Sequence, residues 1–492
     1  MGIKKWNFSN TNVKYGRARL LHSGKCFNID GRYARYCYKP AEWLVNKPIL
    51  AFNMKSLKVL LAVAFCFAVA GCVKKPKIPM MKDADVLHEN LDHLTQVIIY
   101  DVFTPPVASR IYGYTSLAAY EAMRHADPKY ASITAQLRGF KAMPEPEKGK
   151  LYNFTLAATK AFFTVAHKVT FSIDTLKKYE DKVFAMYQDN LDTATFSRSM
   201  AFGDSIGKVM LVRAAKDNYP QTRGKPRFLG SQENGKWRPT APDYLDGVEF
   251  CWGTMHTFAI DTSTQFKLPP PPPFSEDRTS EYFRQNVEVY EQSKNLTDEQ
   301  IKIARFWDDN PFVIQHNGHM MFVNKKITPG GHWIGITAIA CKKTNADAVK
   351  TAQAYALTSI ALFDAFIAGW QVKYDTKYIR PVTVINDKID QKWLPMLQTP
   401  PFPEYPSGHS DISAASAVML THLFGDNFEY DDTSDLRYIG MQRHFKSFMQ
   451  ASDETSISRF YGGIHYRNSV NAGAAQGKEI GEYIWNKLKL QK

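Results

Sequence analysis

Apolar side chains recur close to the 3.6-residue period of an α-helix along most of the chain beyond residue 82. The spacing predicts helices over residues 83–103, 107–125, 149–168, 172–191, 194–217, 277–293, 297–309, 346–371, 409–424, 433–450 and 469–488. Thr104 stands before Pro105 and Pro106, where threonine can cap a helix and proline is tolerated in the first turn. No alternating pattern of useful length predicts a strand, so we expect an all-α fold.

Two stretches depart from the plain helical pattern. Residues 219–273 are rich in proline, glycine and aromatic residues and end in five consecutive prolines, which is typical of a linker or of a loop that lines a site. Their aromatic residues favour a packed loop over a free linker; these are Trp237, Tyr244, Phe250, Trp252 and Phe258. The helix over residues 346–371 is the most apolar, but Thr358, Ser359 and Asp364 interrupt it. We therefore predict a buried core helix and not a membrane span.

Residues 54–71 have the pattern of a signal peptide. Lys55 and Lys58 precede an unbroken apolar run over residues 59–69, which is too short to span a membrane. The following Val69-Ala70-Gly71-Cys72 resembles the bacterial lipoprotein signal, which implies that Cys72 is lipidated and becomes the mature N-terminus. We expect an exported protein anchored by lipid to the cell envelope, in the periplasm or at the outer membrane. Residues 72–82 would be a tether, and the basic residues 1–53 an upstream over-translation with Met54 as the real start.

Charge and cysteine content narrow the function classes. Of the net charge of +14, residues 1–71 contribute 12 Lys/Arg against 2 Asp/Glu, and the remainder holds 50 against 46. A body with a net charge of only +4 argues against a nucleic-acid partner. Beyond Cys72 only Cys251 and Cys341 remain, so a disulfide framework is not expected, and whether these two pair is left open. The chain length suits helical regions over residues 83–270 and 271–492, the second carrying the site.

Three segments carry residues that suit an oxyanion. Lys373 and Arg380 follow the predicted core helix, which gives two positive charges a rigid mount, although a surface pair at a helix end is the plainer interpretation. Ser407, Gly408 and His409 begin the helix predicted from residue 409, and offer a hydroxyl, a backbone N–H and an imidazole. A simple serine cap would explain the same residues.

The third segment supplies another cation and another imidazole. Arg459 adds positive charge, two glycines at residues 462 and 463 allow close backbone approach, and His465 could ligate a metal or attack phosphorus. A single histidine in such a loop is more often structural than a ligand. The three segments together favour an oxyanion site.

In order and spacing, these segments resemble the three-part signature of the vanadium haloperoxidase and type 2 phosphatidic acid phosphatase superfamily. The similarity to soluble bacterial members covers most of residues 83–488, including residues 105–110, 235–240, the proline run, 306–308 and 331–333. The resemblance implies a large helical bundle, or two fused four-helix bundles. It also implies that the oxygens of vanadate or phosphate are held by Lys373, Arg380, Ser407, the Gly408 N–H and Arg459.

The resemblance implies distinct roles for the remaining residues. His465 would be the axial vanadium ligand, or in a phosphatase the nucleophile, and His409 the acid/base group. Trp370 and Phe402 resemble aromatic residues on the halide side of fungal chloroperoxidases, although both could simply be packing residues.

The sequence departs from the family pattern at one position, and an acidic residue raises a separate possibility. The family usually has Asp four residues after the last histidine, but here Asn468 and Ser469 follow. Ser469 or a backbone carbonyl could orient the ring instead. Asp308 is a possible partner for one of the site arginines.

Three functions remain open at this stage. The first is a vanadate-dependent haloperoxidase, in which Lys373 polarises peroxide at vanadium, His409 moves protons and halide becomes hypohalous acid. The second is a phosphohydrolase without a cofactor, in which His465 attacks a phosphate ester. The third is a non-catalytic oxyanion-binding lipoprotein. Each predicts a small-molecule ligand, a membrane contact through the lipid and no nucleic acid.

Overall fold

The computed structural model describes residues 77–492, apart from positions 312, 318 and 324 and the side chains of residues 314–317 and 320–323. The predicted over-translation, the signal peptide, Cys72 and residues 72–76 of the tether lie outside the described residues. Residues 77–82 are irregular and lead directly into the first helix.

Fifteen α-helices and two short strand pairs are present in the described part of the chain. The helices are α1 Asp83–Tyr100, α2 Pro105–Met123, α3 Phe154–Val169, α4 Ile173–Asn190, α5 Thr193–Ala214, α6 Tyr219–Arg223, α7 Glu281–Lys294, α8 Asp298–Phe306, α9 Pro329–Lys343, α10 Ala348–Thr376, α11 Pro381–Lys388, α12 Gly408–Phe424, α13 Leu436–Ile439, α14 Phe448–Tyr461 and α15 Arg467–Lys487. The strands form two antiparallel pairs, β1 Ile314–Asn317 with β2 Met320–Val323 and β3 Tyr430–Asp432 with β4 Arg443–Phe445. The predicted all-α class is confirmed.

Most helices follow the periodicity, and their ends follow local chemistry. The Thr104 side chain accepts a hydrogen bond from the Val107 N–H, and α2 begins at Pro105 as the sequence predicts. The prediction of a helix over residues 433–450 is wrong. Helix α13 has only four residues, and it lies between β3 and β4 in the chain. Gly440 ends α13 in the left-handed region with φ 70°, and the Asp432 side chain is drawn into a buried contact with His332. Tertiary contacts override the helical period here.

Helix α10 is a buried core helix, as predicted. Its 29 residues pack against α2, α9, α12 and α15. Among the described residues, it alone is long and apolar enough to cross a membrane, and that apolar window is entirely buried inside the protein. Asp364, the acidic residue within it, accepts backbone N–H bonds from Phe258, Ala259 and Ile260 at 2.7, 2.7 and 2.9 Å. The carboxylate that interrupts the apolar pattern therefore attaches the long loop to the core.

That loop packs on the C-terminal helices. Trp237, Trp252 and Phe258 are fully buried, as expected of a packed loop, whereas Tyr244 and Phe250 are exposed against expectation. The proline run accepts hydrogen bonds from two tyrosines that flank the predicted site: Tyr378 Oη donates to the Pro272 carbonyl at 2.8 Å, and Tyr405 Oη to that of Pro269 at 2.6 Å. The loop thus supports the segments on either side of the site.

Glycines let α15 pack very closely against α12. A Cβ on Gly473 or Gly477 would overlap the backbone carbonyl of Ser407 or Asp411, and one on Gly481 would lie 2.8 Å from Val418 Cβ. These glycines are four residues apart and therefore share one face of α15. The stripe brings the start of α15, just after His465, against the start of α12.

Two further points from the sequence concern the pairing of the cysteines and the boundary between the predicted regions. Cys251 and Cys341 are free thiols and do not pair. Residues 76–492 form one unit, and α10 packs against α2 although the two lie in different predicted regions. The boundary at residue 270 stays a prediction.

Candidate oxyanion site

Lys373 lies near the C-terminal end of α10 and is completely buried. Its Nζ donates to the carbonyl oxygens of Pro403 at 3.1 Å and Glu404 at 3.0 Å, and to that of Pro406. Burial and the nearby Arg380 lower the pKa of Lys373 well below its ordinary value. Lys373 is therefore attached to the segment that leads into α12.

Arg380 is the residue before Pro381 at the start of α11, and it is also fully buried. Its Nε donates to the Phe402 carbonyl at 2.9 Å, and its Nη1 donates to the Ile464 carbonyl at 2.7 Å and contacts His465 Nε2 at 3.1 Å. Nη2 has no hydrogen-bond partner among the described residues. This arginine bridges the second and third predicted segments and still has a free donor.

Ser407 is the N-cap of α12, so the cap interpretation is correct. Its Oγ accepts from the Ser410 N–H at 3.4 Å and from Ser410 Oγ at 2.8 Å. Gly408 is the first helical residue, where a backbone N–H has no partner within the helix. A Cβ there would lie 3.1 Å from Trp370 Cζ3, so glycine lets this backbone pack closely against the indole ring.

Arg459 and His465 come from the third segment. Arg459 lies in the last turn of α14 and not in the predicted loop, while His465 lies between α14 and α15. Arg459 Nη1 donates to the Trp307 carbonyl at 2.6 Å, and its buried Nε and Nη2 have no partner among the described residues. Two guanidinium groups thus offer free, buried donors.

His409 and His465 share the same electrostatic environment. Burial is the main cause that lowers the pKa of each well below its ordinary value, and the charges of Arg459, Lys373 and Arg380 add to it in both cases. Both rings are therefore neutral near pH 7. His409 Nε2 is buried without a partner among the described residues.

The structure therefore brings together the seven predicted residues of the three segments. The free donors of Arg380 and Arg459, the neutral His409 and the Gly408 N–H at the start of α12 all suit a bound oxyanion. Unpaired buried donors are costly in a folded protein, and an anion of three or more oxygens would satisfy them. The donor set fits vanadate or phosphate.

Trp370 and Phe402 form one wall beside Lys373. Their ring centroids lie 5.0 Å apart, and Lys373 Nζ lies 5.6 Å from the Trp370 ring and 5.2 Å from the Phe402 ring. Trp370 Nε1 donates to the Val248 carbonyl at 3.3 Å, which fixes the ring against the long loop. Both residues pack in the core and also border the cation.

Asp308 does not pair with a site arginine. Its carboxylate contacts Lys326 Nζ at 2.5 Å, whereas Arg459 uses the carbonyl of the neighbouring Trp307. The suggested pairing is therefore wrong, although Asp308 is close enough for its charge to act on the pKa of Arg459.

A buried histidine supports the Arg459 side of the site. His332 stacks on Trp307 with ring centroids 4.5 Å apart. Its Nδ1 lies 3.0 Å from Asp309 Oδ2 and its Nε2 lies 2.9 Å from Asp432 Oδ2. Carboxylate oxygens on both sides mean that both ring nitrogens donate, as in an imidazolium. The cluster packs against the side chain of Trp307, whose backbone carbonyl accepts from Arg459.

Glu404 is the site residue that sequence reasoning missed. Its carboxylate is buried, and Oε1 lies 2.7 Å from His465 Nδ1 and accepts the Tyr466 N–H at 3.0 Å. Oε2 accepts from Ser469 Oγ at 2.5 Å. Burial raises the pKa of Glu404 to about 7, although Arg380 and Ser469 act to lower it. Ser469 therefore reaches His465 through a carboxylate, and not directly as the sequence suggested.

Comparisons with known proteins agree with this geometry. Residues 386–491 match the family model of the VCPO second helical-bundle domain. A crystal structure of a bacterial vanadium-dependent iodoperoxidase is 42% identical, covers 84% of this chain and 99% of its own, and superposes with a TM-score of 0.79. The chain belongs to the vanadium haloperoxidase family.

Other vanadium haloperoxidases have lower sequence identity to this chain. The vanadium chloroperoxidase of Curvularia inaequalis is 27% identical, and the match covers 25% of this chain and 29% of the fungal protein's length. A bacterial vanadium-dependent chloroperoxidase structure is 18% identical, covers 79% of this chain and 93% of its own, and has a TM-score of 0.60. At 18% identity, the similarity to this bacterial chloroperoxidase shows a shared fold alone.

One feature of the sequence of this haloperoxidase-family chain could have identified Glu404 as a site residue. It is an acidic residue between prolines at positions 403 and 406, only three residues before Ser407. The family's aspartate is missing after His465, so a carboxylate from elsewhere in the chain was the physical alternative to a neutral partner.

Proposed function

We propose that the protein is a vanadate-dependent haloperoxidase that oxidises halide with hydrogen peroxide. The observation that carries the proposal is the buried group of free arginine donors around a neutral His465, in a chain of the vanadium haloperoxidase family. The oxygens of vanadate would be held by Lys373, Arg380, Arg459, Ser407 and the Gly408 N–H, and His465 Nε2 would be the protein ligand of the vanadium. When bound, vanadate supplies a Lewis-acidic centre that activates peroxide toward a halide.

The chain's own groups would handle charge and protons. Lys373 and the two arginines stabilise negative charge on the oxygens, and they are pre-oriented by their carbonyl contacts. His409 is neutral because of burial and the nearby cations, so its Nε2 can accept a proton from peroxide and return it later. Trp370 and Phe402 exclude water beside Lys373, which suits the approach of a weakly hydrated halide.

We propose iodide as the preferred halide. The relative with 42% identity over nearly its whole length is an iodoperoxidase. Iodide is also the most easily oxidised of the common halides. The phosphohydrolase and the non-catalytic binder are not favoured, because the matched relatives are haloperoxidases.

The experiment is an assay of the purified protein for iodide, bromide and chloride oxidation with peroxide, with and without orthovanadate. We expect iodide oxidation that depends on vanadate. His465→Ala and Lys373→Ala should lower kcat/KM by about 10²-fold or more, because each removes a contact to the reacting group. His256→Ala and Lys216→Ala, on exposed side chains, are the matched controls.

Two outcomes would reject the proposal. One is halide oxidation that does not need vanadate or survives His465→Ala. The other is phosphate-ester hydrolysis that vanadate inhibits and His465→Ala abolishes, which would establish the phosphohydrolase. Silence in both assays would favour the binder.

We also propose that the enzyme is exported and anchored through lipid on Cys72. The charged and apolar pattern of residues 54–71 supports this. Radiolabelled palmitate should enter the protein expressed in bacteria from Met54, and Cys72→Ser should abolish the label and release the protein from the membrane fraction. A label that persists in the variant would contradict the anchor.

A further inference from the structure

Both ring nitrogens of His465 have neighbours that determine where its proton lies. Nε2 lies 3.1 Å from Arg380 Nη1, and a guanidinium nitrogen can only donate. Nε2 must therefore present its lone pair. Nδ1 lies 2.7 Å from Glu404 Oε1 and must carry the hydrogen.

The Glu404 carboxylate is itself held in place. Oε1 also accepts the Tyr466 N–H at 3.0 Å, and Oε2 accepts from Ser469 Oγ at 2.5 Å. Because Arg380 Nη1 can only donate, it occupies the lone pair of Nε2, and the single hydrogen of a neutral ring must be on Nδ1. The Nδ1–H assignment therefore does not depend on the charge of the carboxyl group.

The backbones of Glu404 and Ser469 touch the rest of the site. The Glu404 carbonyl accepts from Lys373 Nζ at 3.0 Å, and the Ser469 carbonyl accepts from the Ser407 N–H at 3.1 Å. One pair of residues thus connects His465 with the cation on α10 and with the start of α12.

We propose that Glu404, supported by Ser469, is the positioning residue of His465 and replaces the aspartate that the family pattern places four residues after this histidine. The pair holds the ring with Nδ1 protonated and with a lone pair on Nε2, which a bound oxyanion would take over from Arg380 Nη1. The inference rests on the proposed function only in taking His465 as the residue that faces the oxyanion. Partners of this kind typically change ligand affinity by about 10- to 100-fold.

The test uses two readouts on the full-length protein. The first is the ¹⁵N spectrum of the histidine-labelled protein without added anion, in which the His465 signals are assigned by difference from His465→Gln. The second is the Kd of orthovanadate, and separately of inorganic phosphate, by calorimetry. In the wild type we expect a protonated Nδ1 and an unprotonated Nε2.

Four variants separate positioning from mere packing. Glu404→Ala should lose the single tautomer and raise the Kd by about 10-fold or more. Glu404→Gln retains an oxygen that can accept from Nδ1, so the tautomer should persist with a smaller rise in Kd. Glu404→Ala combined with Ser469→Asp restores a carboxylate at the family position and should recover both readouts. Glu121→Gln, a buried carboxylate that contacts Arg124 instead, should change neither.

The inference is overturned if Glu404→Ala keeps the wild-type His465 signals, or keeps a Kd within about twofold for both anions. If Glu404→Ala does not fold, Glu404→Gln decides in the same way, since a wild-type Kd there would also overturn it. A wild type without vanadate-dependent halide oxidation would defeat the proposed function alone. The tautomer and the phosphate Kd would still decide the role of Glu404.

Discussion

At the scale of single residues, Ser407 shows that a structural role and a binding role can coexist. Its Oγ accepts two hydrogen bonds from Ser410 and so caps α12. Its own hydroxyl hydrogen is not used in either bond and can be donated to an oxygen of a bound anion. His332 shows the opposite case, because both of its ring nitrogens are used by buried carboxylates and neither is left for a ligand.

The His332 cluster should make stability depend on pH. Burial alone would lower the pKa of His332, but Asp309, Asp432 and Asp435 raise it well above the ordinary value. Stability from a raised pKa is fully present below the unfolded value, about 6.5, and is lost as pH rises through the folded value. We expect His332→Gln to cost about 3–5 kcal/mol at pH 6, because it leaves buried carboxylates without a cation.

Thermal unfolding of the wild type and of His332→Gln, measured over a range of pH, tests this pH dependence. The difference in Tm between wild type and His332→Gln should be largest below about pH 6.5 and shrink on the alkaline side. His256→Gln, on an exposed ring, should follow the wild type at every pH. A constant difference across pH would contradict an ionised His332.

At the scale of elements, the site depends on how closely α12 and α15 approach. The two helices carry different site segments to the same place: α12 begins with Gly408, and α15 follows two residues after His465. The glycine stripe on α15 removes the side chains that would keep the two backbones apart. The distance between the helices therefore sets the distance between His465 and the proposed donors at the start of α12, which are Ser407 and Gly408.

A single methyl group should disturb that distance. Gly477→Ala would place Cβ into the Asp411 carbonyl, so the helices must separate or the chain must strain, at a cost of about 1–3 kcal/mol. We expect lower Tm together with weaker vanadate binding measured by calorimetry. Gly224→Ala adds the same methyl group to open space and should change neither. Unchanged vanadate affinity in a destabilised Gly477→Ala would show that the helix approach does not set the site geometry.

At the scale of the whole molecule, the fold concentrates positive charge in its interior. Lys373, Arg380 and Arg459 are fully buried, and burial lowers the pKa of each of them, that of Arg380 to about 10. Glu404 offsets only part of this charge. The burial of positive groups costs free energy in the folded state. An anion that binds only the folded state should therefore stabilise it.

Anion binding should therefore stabilise the protein measurably. At an anion concentration about 100 times the Kd, we expect a gain of about 2.7 kcal/mol in the free energy of unfolding. Differential scanning fluorimetry with orthovanadate, phosphate and chloride measures the shift. Arg459→Ala should reduce the shift for both oxyanions, and an equal shift in the wild type and in this variant would contradict the proposed site.

The sequence predicts those parts of the fold that depend on residues close together in the chain. Most helices follow from apolar spacing. The bounds predicted for α10, residues 346–371, and the α2 start marked by Thr104 agree with the structure within a few residues. The seven residues of the candidate oxyanion site follow from motif spacing. Glu404 and the β3–β4 pair do not, because each is defined by a contact with residues far along the chain: His465 in one case and His332 in the other.

The family model covers residues 386–491, which hold Ser407, Gly408, His409, Arg459 and His465. Lys373 and Arg380 lie before that range, at the end of α10 and the start of α11. A gene fragment cut at the start of the matched range would encode both histidines and only one of the three buried cations. Grafting this site onto another scaffold therefore requires a transplant that begins upstream of Lys373, with the central helix as part of the transferred piece.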